Sequence, residues 1–158
     1  MTTSLLRANL LNEIRYAERL CQRTARLYRR LQTFTTFITV VGGSAAISTA
    51  LSSSAPDWLP LVGAGLLAVF GGLNIAIRPA DKAAQNEMDA KRYAALRSKA
   101  SAMDDALLQT ALNEAHASDV PEVEPLRDVA YNDVVREIGQ GSYVVSLKLH
   151  QRLIAAIA

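Results

Sequence analysis

The chain has few of the residues from which catalytic and metal sites are usually built. Its 158 residues include one cysteine and two histidines. Cys21 has no second cysteine with which to form an internal disulfide, and we expect it to be a small packing residue. His116 and His150 lie far apart, and neither has a carboxylate or cysteine at metal-motif spacing. We therefore expect no metal, no cofactor and no enzymatic activity.

Charge is missing from two long stretches of the sequence. Residues 31–56 and 58–77 contain no Asp, Glu, Lys, Arg or His, and only Asp57 separates them. The second stretch has 20 residues, which as a helix would extend about 30 Å, roughly the thickness of the bilayer hydrocarbon core. The pattern predicts a transmembrane hairpin at residues 31–78, with spans at about 34–51 and 58–77.

Basic residues are concentrated at both outer ends of this hairpin. Residues 1–30 contain seven arginines against two glutamates, whereas the turn between the spans contains no basic residue. By the positive-inside rule we expect a multi-pass protein of the bacterial inner (plasma) membrane with both termini cytoplasmic. Arginines from Arg19 to Arg30 could contact lipid or form a solvated face. The headgroup candidates are Arg26, Arg29, Arg30, Arg78 and Trp58.

Each predicted span has a face of small or hydroxyl-bearing residues. In the first span this face contains Thr35, Thr36, Thr39, Gly42, Gly43, Ala46 and Thr49. In the second span it contains Ala64, Ala68 and Gly72, and Asn74 is the one strongly polar residue. Small residues let helices approach closely in lipid, whereas hydroxyl groups around an axis could line a water-filled path. Two interpretations of these faces are therefore kept, helix packing and pore lining.

The rest of the chain is charged and has helical periodicity. Residues 1–30 predict an amphipathic helix, and residues 79–158 predict a cytoplasmic helical region. Its expected helices are Ala84 to about Ala115, Leu126–Ile138 and Val144–Ile157. No strand-like run is evident, so we expect an all-α membrane protein with a two-helix hairpin and a bundle of cytoplasmic amphipathic helices.

The apolar residues of these cytoplasmic helices are expected to face inward. In the long helix they are Met88, Ala95, Leu96, Ala100, Met103, Leu107 and Ala111. In the next helix they are Val129, Ala130, Val134 and Ile138. In the last helix they are Val145, Leu149, Leu153, Ile154 and Ile157.

The segment that follows the hairpin, residues 83–96, reads AAQNEMDAKRYAAL. Together with the Arg-rich first helix and the hairpin, it resembles the SLATT domain of bacterial conflict systems, over roughly residues 5–155. Tyr93 and Leu96 have the spacing of that family's pattern. The resemblance implies a membrane effector that forms pores or disrupts the membrane when a partner sensor or a nucleotide-signalling enzyme detects infection. It implies no catalytic residues.

Two other functions fit the same layout. One is a membrane-anchored adaptor that recruits partners through its cytoplasmic helices. The other is a holin-like lysis protein, although the roughly 80 residues after the hairpin are more than a lysis pore needs. The expected partners are the lipid bilayer, further copies of the chain, and a separate sensor protein or nucleotide signal. No nucleic acid partner is expected.

Overall fold

The computed structural model describes residues 2–50, 56 and 58–158, without the side chains of residues 2–4, 45, 46 and 48–50. The described chain is helical and contains no strand, which confirms the all-α prediction. Its α-helices are α1 (Thr2–Ala50), α2 (Trp58–Ile77), α3 (Pro79–Lys99), α4 (Asp105–Ala117), α5 (Arg127–Glu137) and α6 (Leu149–Ile157). Short 3₁₀ turns occupy Ala100–Ala102, Glu124–Leu126 and Gly141–Tyr143. The predicted turn at residues 52–57 lies, apart from Pro56, outside the described residues.

The chain divides into two compact units. The bundle unit comprises Met1–Leu27 and Lys82–Ala158, and the apolar unit comprises Tyr28–Asp81. Helices α1 and α3 contribute residues to both.

Two hydrophobic clusters form the core of the bundle unit. The first contains Leu10, Ile14, Ala17, Cys21, Ala90, Tyr93, Leu96, Ala100, Leu108, Leu112 and Ala115. The second contains Leu20, Leu126, Val129, Ala130 and Ala158. Helix α1 supplies residues to both clusters because its apolar positions recur every three or four residues. Cys21 is buried in the first cluster, as expected of a packing residue.

The prediction of one long helix from Ala84 to about Ala115 is wrong. The chain becomes extended at Met103, and a new helix begins where the Asp104 side chain accepts a hydrogen bond of 2.8 Å from the amide of Leu107. An aspartate that binds the amides of the first turn favours a helix start over a helix interior. Arg7 donates to the carbonyl oxygen of Met103 at 3.1 Å and so binds a backbone group that the break leaves open.

The predicted inward face of α3 and α4 is also partly wrong. Met88, Ala95 and Leu107 are exposed, whereas Leu96 and Ala100 are buried as expected. Asn86 and Asp89 are buried instead. A hydrophobicity pattern assigns such polar residues to the solvent face, because it does not include the hydrogen bonds that permit their burial.

The predicted helix from Val144 begins only at Leu149. The Asn132 side chain, which is buried, donates to the carbonyl oxygen of Val145 and accepts from its amide, both at 2.8 Å. These bonds hold the segment before α6 in a non-helical conformation. The prediction of its inward face is wrong as well, because four of the five residues are exposed, namely Val145, Leu149, Leu153 and Ile157.

Candidate functional site

Among the described residues, one helical stretch, Trp58–Ala102, is long and apolar enough to cross a membrane. Its most apolar 18 residues have a mean hydropathy of 1.9, and 6% of them are buried. Helix α2 supplies the uncharged part of this stretch. The predicted first span, at about 34–51, ends at a residue outside the described part of the chain.

The C-terminal part of α1 packs against α2 in the antiparallel sense. The rings of Phe34 and Phe70 meet edge to face, with centroids 6.0 Å apart. Further along α1, a Cβ atom placed on Gly42 would lie 3.5 Å from the carbonyl oxygen of Gly63 and 3.6 Å from Cβ of Leu66. Glycine at position 42 therefore permits a close approach of the two helices. Gly43, half-buried, lies beside Leu67 in the same way.

The predicted small-residue stripe of α2 lies on the opposite face from this contact. At about 100° per residue, the residues Ala64, Ala68 and Gly72 are centred roughly opposite the contact residues Gly63 and Leu66. All three are exposed, and a Cβ atom placed on Gly72 would meet no atom within 4 Å. Helix α2 therefore contacts α1 through one face, and no described residue covers its second, small-residue face.

The hydroxyl groups of the first predicted span bond to their own helix. Thr35 donates to the carbonyl oxygen of Gln32 at 3.0 Å, and Thr39 donates to that of Thr35 at 2.7 Å. Such bonds lower the cost of placing a hydroxyl group in a lipid environment. Thr36 is exposed, whereas the side chains of Ala46 and Thr49 are outside the description.

Large apolar side chains cover the outside of the apolar unit. Exposed fractions of 40–77% are found at Phe34, Phe37, Val40, Val41, Ile47, Leu61, Val62, Leu66, Val69, Leu73 and Ile75. Contiguous apolar surface of this kind marks a membrane or protein contact.

The headgroup candidates of the apolar unit stand at the ends of α2. Trp58 begins the helix and is exposed, and Arg78 follows its last residue. The amide of Arg78 donates to the carbonyl oxygen of Asn74, which is half-buried, at 3.1 Å. Arg78 has a φ of 49°, so the backbone reverses its helical sense there before Pro79 begins α3.

The arginines of α1 do not all share one role. Arg19 pairs with Glu137 at 2.6 Å and Arg23 pairs with Asp133 at 2.8 Å, both within the bundle unit. These two arginines bind α5 and thus contribute to the bundle, which argues against the lipid contact considered for them. The other candidates, Arg26, Arg29 and Arg30, are exposed.

A buried polar network around Tyr93 was not predicted from the sequence. Tyr93 is fully buried, its hydroxyl group donates to Asp119, and it lies 3.1 Å from Nδ1 of His116. Arg92 pairs with Asp119 at 3.3 Å and also with Asp89. Burial, followed by the hydrogen bond to Asp119, raises the pKa of Tyr93. The network joins α3 to the end of α4.

His116 has carboxylate partners that the sequence spacing did not reveal. Its Nε2 lies 3.4 Å from Glu13 of α1, and its Nδ1 lies 3.4 Å from Asp119. Across residues 2–50 and 58–158, no group of three or more His, Cys, Asp and Glu side chains is placed to hold a metal ion. The contacts of His116 therefore join α1 to the end of α4.

Cys21 borders a cavity of about 20 Å³, which has room for one water molecule. Tyr16, Thr24, Asn86 and Asp119 also line this cavity. Burial, with a smaller effect of the Asp119 and Asp89 charges, raises the pKa of the Cys21 thiol to about 12. The sulfur is therefore an unreactive thiol at neutral pH.

We expect Cys21 to react with a thiol reagent at about pH 8 roughly a thousand times more slowly than an exposed cysteine. A pKa of about 12 in place of 9.0 lowers the thiolate fraction by about three orders of magnitude.

The folded chain also keeps the Cys21 proton between about pH 9 and 12, where the unfolded chain releases it. The free energy of unfolding should therefore fall as the pH rises through that interval.

Colorimetric thiol titration with and without denaturant measures the first effect. Thermal denaturation across the alkaline range, compared with Cys21→Ala, measures the second, since the variant lacks this thiol's contribution. Equal labelling rates in the folded and the unfolded chain would contradict the assignment.

The chain has no match among protein-family models, curated proteins or solved structures.

Proposed function

We propose that the chain is an oligomeric inner-membrane effector. Its apolar unit crosses the bilayer twice, with both termini cytoplasmic, and several copies assemble into a pore or otherwise perturb the membrane. A separate sensor protein or ligand gates the assembly, in keeping with the resemblance to conflict-system (anti-phage) effectors. The observation that supports the proposal most strongly is that α2 has two packing faces, of which one is uncovered.

The membrane location is supported by the surface of the apolar unit. From Leu31 to Ile77 the sequence contains one charged residue, Asp57, and the large apolar side chains of both helices point outward. A water-soluble fold would bury such residues, whereas lipid solvates them. Hydroxyl groups such as that of Thr39 bond within their helix, so they do not oppose insertion.

Assembly is supported by the uncovered face of α2. Helices in lipid associate mainly by close packing, for which residues such as Ala64, Ala68 and Gly72 are suited. The opposite face already contacts α1 at Gly42. A second copy can therefore bind without disturbing the helix pair within each chain.

Gating by a partner is supported by the ion pairs of the bundle unit. Arg97 of α3 lies 3.3 Å from Glu18 of α1, and Arg19 of α1 pairs with Glu137 of α5. A partner that competes for these charges would act on α1, which belongs to both units. The network around Tyr93 joins α3 to α4, and His116 links it to Glu13 of α1, so it stabilises these helices against movement in the absence of the partner.

The test combines particle mass with membrane leakage. The detergent-extracted chain is expected to form a closed ring of several copies, measured by light scattering and by imaging of its symmetry. Reconstituted into dye-loaded vesicles at high protein-to-lipid ratios, where crowding of the chains replaces the partner in promoting assembly, it is expected to release dye with a steep dependence on that ratio. A monomeric or dimeric particle that never releases dye would contradict pore formation.

An adaptor is the second candidate, and the packing of the first span favours it. Gly42 packs against α2, and Thr35 and Thr39 bond to their own helix. The face that could have lined a pore is therefore partly used within the chain. An adaptor requires the hairpin only as an anchor, so it predicts a small particle, no leakage, and capture of a partner by the bundle unit.

A further inference from the structure

Helix α6 turns its most apolar face away from the bundle unit. Leu149, Leu153 and Ile157 are 75%, 60% and 48% exposed. The opposite face has Gln151 and Ala158, which are both buried. An amphipathic helix that covers a core normally has the reverse arrangement.

Specific hydrogen bonds fix this rotation. The Gln151 side chain donates to Asp128 at 2.7 Å and accepts from the amide of Lys148 at 2.8 Å. The Asn132 side chain fixes the preceding segment through the backbone of Val145. Rotating α6 to bury its leucines would break the bonds of Gln151 and leave Asp128 without this donor. These hydrogen bonds therefore hold Leu149 and Leu153 on the outer side of α6.

The charged side chains of α6 and of the segment before it have one sign, because no Asp or Glu follows Glu137 in the sequence. Asp128 of α5 contacts α6 on its opposite, buried side, where it binds Gln151. Lys148 and Arg152 are exposed, and neither takes part in the ion pairs found in the described chain. On the helical wheel, Arg152 borders the face formed by Leu149, Leu153 and Ile157, and Lys148 stands at the start of the helix. An apolar face beside exposed cations is complementary to an anionic lipid surface.

The size of the face favours lipid over a protein partner. Nine residues of helix extend about 13 Å, and three side chains cover far less than the roughly 800 Å² per partner of a stable protein interface. A membrane contact can be this small when the chain is already anchored in the same membrane, because anchoring gives the helix a high effective concentration at the surface.

We propose that α6 is a membrane-surface helix whose Leu149, Leu153 and Ile157 insert into the interface of an anionic bilayer, with Lys148 and Arg152 at the phosphate level. This proposal rests on the proposed function, since the membrane anchor holds α6 at the cytoplasmic leaflet. It adds a second, reversible lipid contact through which the bundle unit can respond to membrane charge.

The test places an environment-sensitive bimane label on α6 of the full chain. The variant is Cys21→Ala with Leu153→Cys, which retains two of the three apolar side chains. It is reconstituted into vesicles of phosphatidylcholine with or without phosphatidylglycerol, containing a lipid with a nitroxide near the headgroup. Trp58, the only tryptophan, reports on the proposed hairpin in the same sample.

Bimane emission is expected to be quenched in vesicles with phosphatidylglycerol and restored by high salt. Since each Lys or Arg near an anionic surface contributes about a factor of five, two cations should make insertion roughly 25-fold weaker in phosphatidylcholine alone. Lys148→Gln with Arg152→Gln should have the same effect. The matched control is Leu107→Cys, an exposed apolar position on α4 close to Asp104 and Asp105, for which no dependence on lipid charge is expected.

The outcomes separate the two proposals. If the bimane at residue 153 stays unquenched in anionic vesicles while Trp58 is quenched, the α6 proposal is wrong and the anchor stands. If Trp58 is unquenched as well, the membrane anchor itself is wrong. A third outcome concerns the chain in detergent. If the bimane becomes more shielded from an aqueous quencher as the chain concentration rises, a second copy covers α6 and the lipid proposal is overturned.

Discussion

Leucine in place of Gly42 is expected to separate the two helices of the apolar unit. Leucine in place of Gly72 is expected to leave the two helices paired but to prevent separate chains from assembling. A Cβ atom at Gly42 would already be in contact with Gly63 and Leu66, so a larger side chain must push α2 away. Overpacking of this kind costs about 1–3 kcal/mol. At Gly72 there is open space within the chain.

Thermal denaturation in detergent, particle mass and dye release together measure the two effects. Gly42→Leu should lower the melting temperature, whereas Gly72→Leu should keep the melting temperature of the separated chain but reduce the particle to a monomer and abolish release. Gly42→Ala is the matched control, since its added Cβ makes only ordinary contacts at 3.5 and 3.6 Å. Full assembly of Gly72→Leu would show that this face of α2 is not the contact between chains.

Removal of the Tyr93 hydroxyl group is expected to destabilise the bundle unit by about 1–3 kcal/mol, because Asp119 loses a donor in a partly buried site. Tyr93→Ala removes the ring as well and should cost about 3–5 kcal/mol. In a domain of about 100 residues, 1 kcal/mol corresponds to a change of roughly 4–8 °C in melting temperature. Circular dichroism on heating measures both variants.

Tyr143→Phe is the matched control for the Tyr93 variants, because Tyr143 is exposed and its change should leave the melting temperature unaltered. If Tyr93→Phe melts at the same temperature as Tyr143→Phe, the hydroxyl group of Tyr93 does not stabilise the helices, and the role assigned to the network is wrong.

The helices that sequence periodicity predicted best are those whose inward residues are apolar. The expected helix Leu126–Ile138 agrees with α5 (Arg127–Glu137) to within about one residue at each end, and Val129, Ala130 and Val134 are buried as expected. The α2 range, Trp58–Ile77, was predicted correctly because uncharged residues run without a break between Asp57 and Arg78.

Two of the failures have a common physical cause, which is hydrogen bonding to buried polar side chains. Asn132 fixes Val145, 13 residues further along, and nothing local to Val144–Lys148 indicates that contact. Asp89 is buried because Arg92 and the amide of Val120 bind it. The break at Asp104 was different, since an aspartate before an apolar run is a local start signal that periodicity alone overlooked.

The candidate site was predictable in composition but not in orientation. The sequence identified Gly42, Ala64 and Gly72 as small residues suited to close packing. Helix α2, however, has apolar or small residues all round, so periodicity does not determine which side contacts α1. Only the placement of Gly63 and Leu66 against Gly42 shows that Gly72 is on the free side.

The opposite placement of the two α2 faces has a consequence for the order of events in a cell. Under the proposed function, a chain that completes its helix pair first would enter the bilayer as a finished unit and would remain dispersed there. Encounters between such units grow with their surface density, so leakage would begin abruptly above a threshold in the number of chains per membrane area.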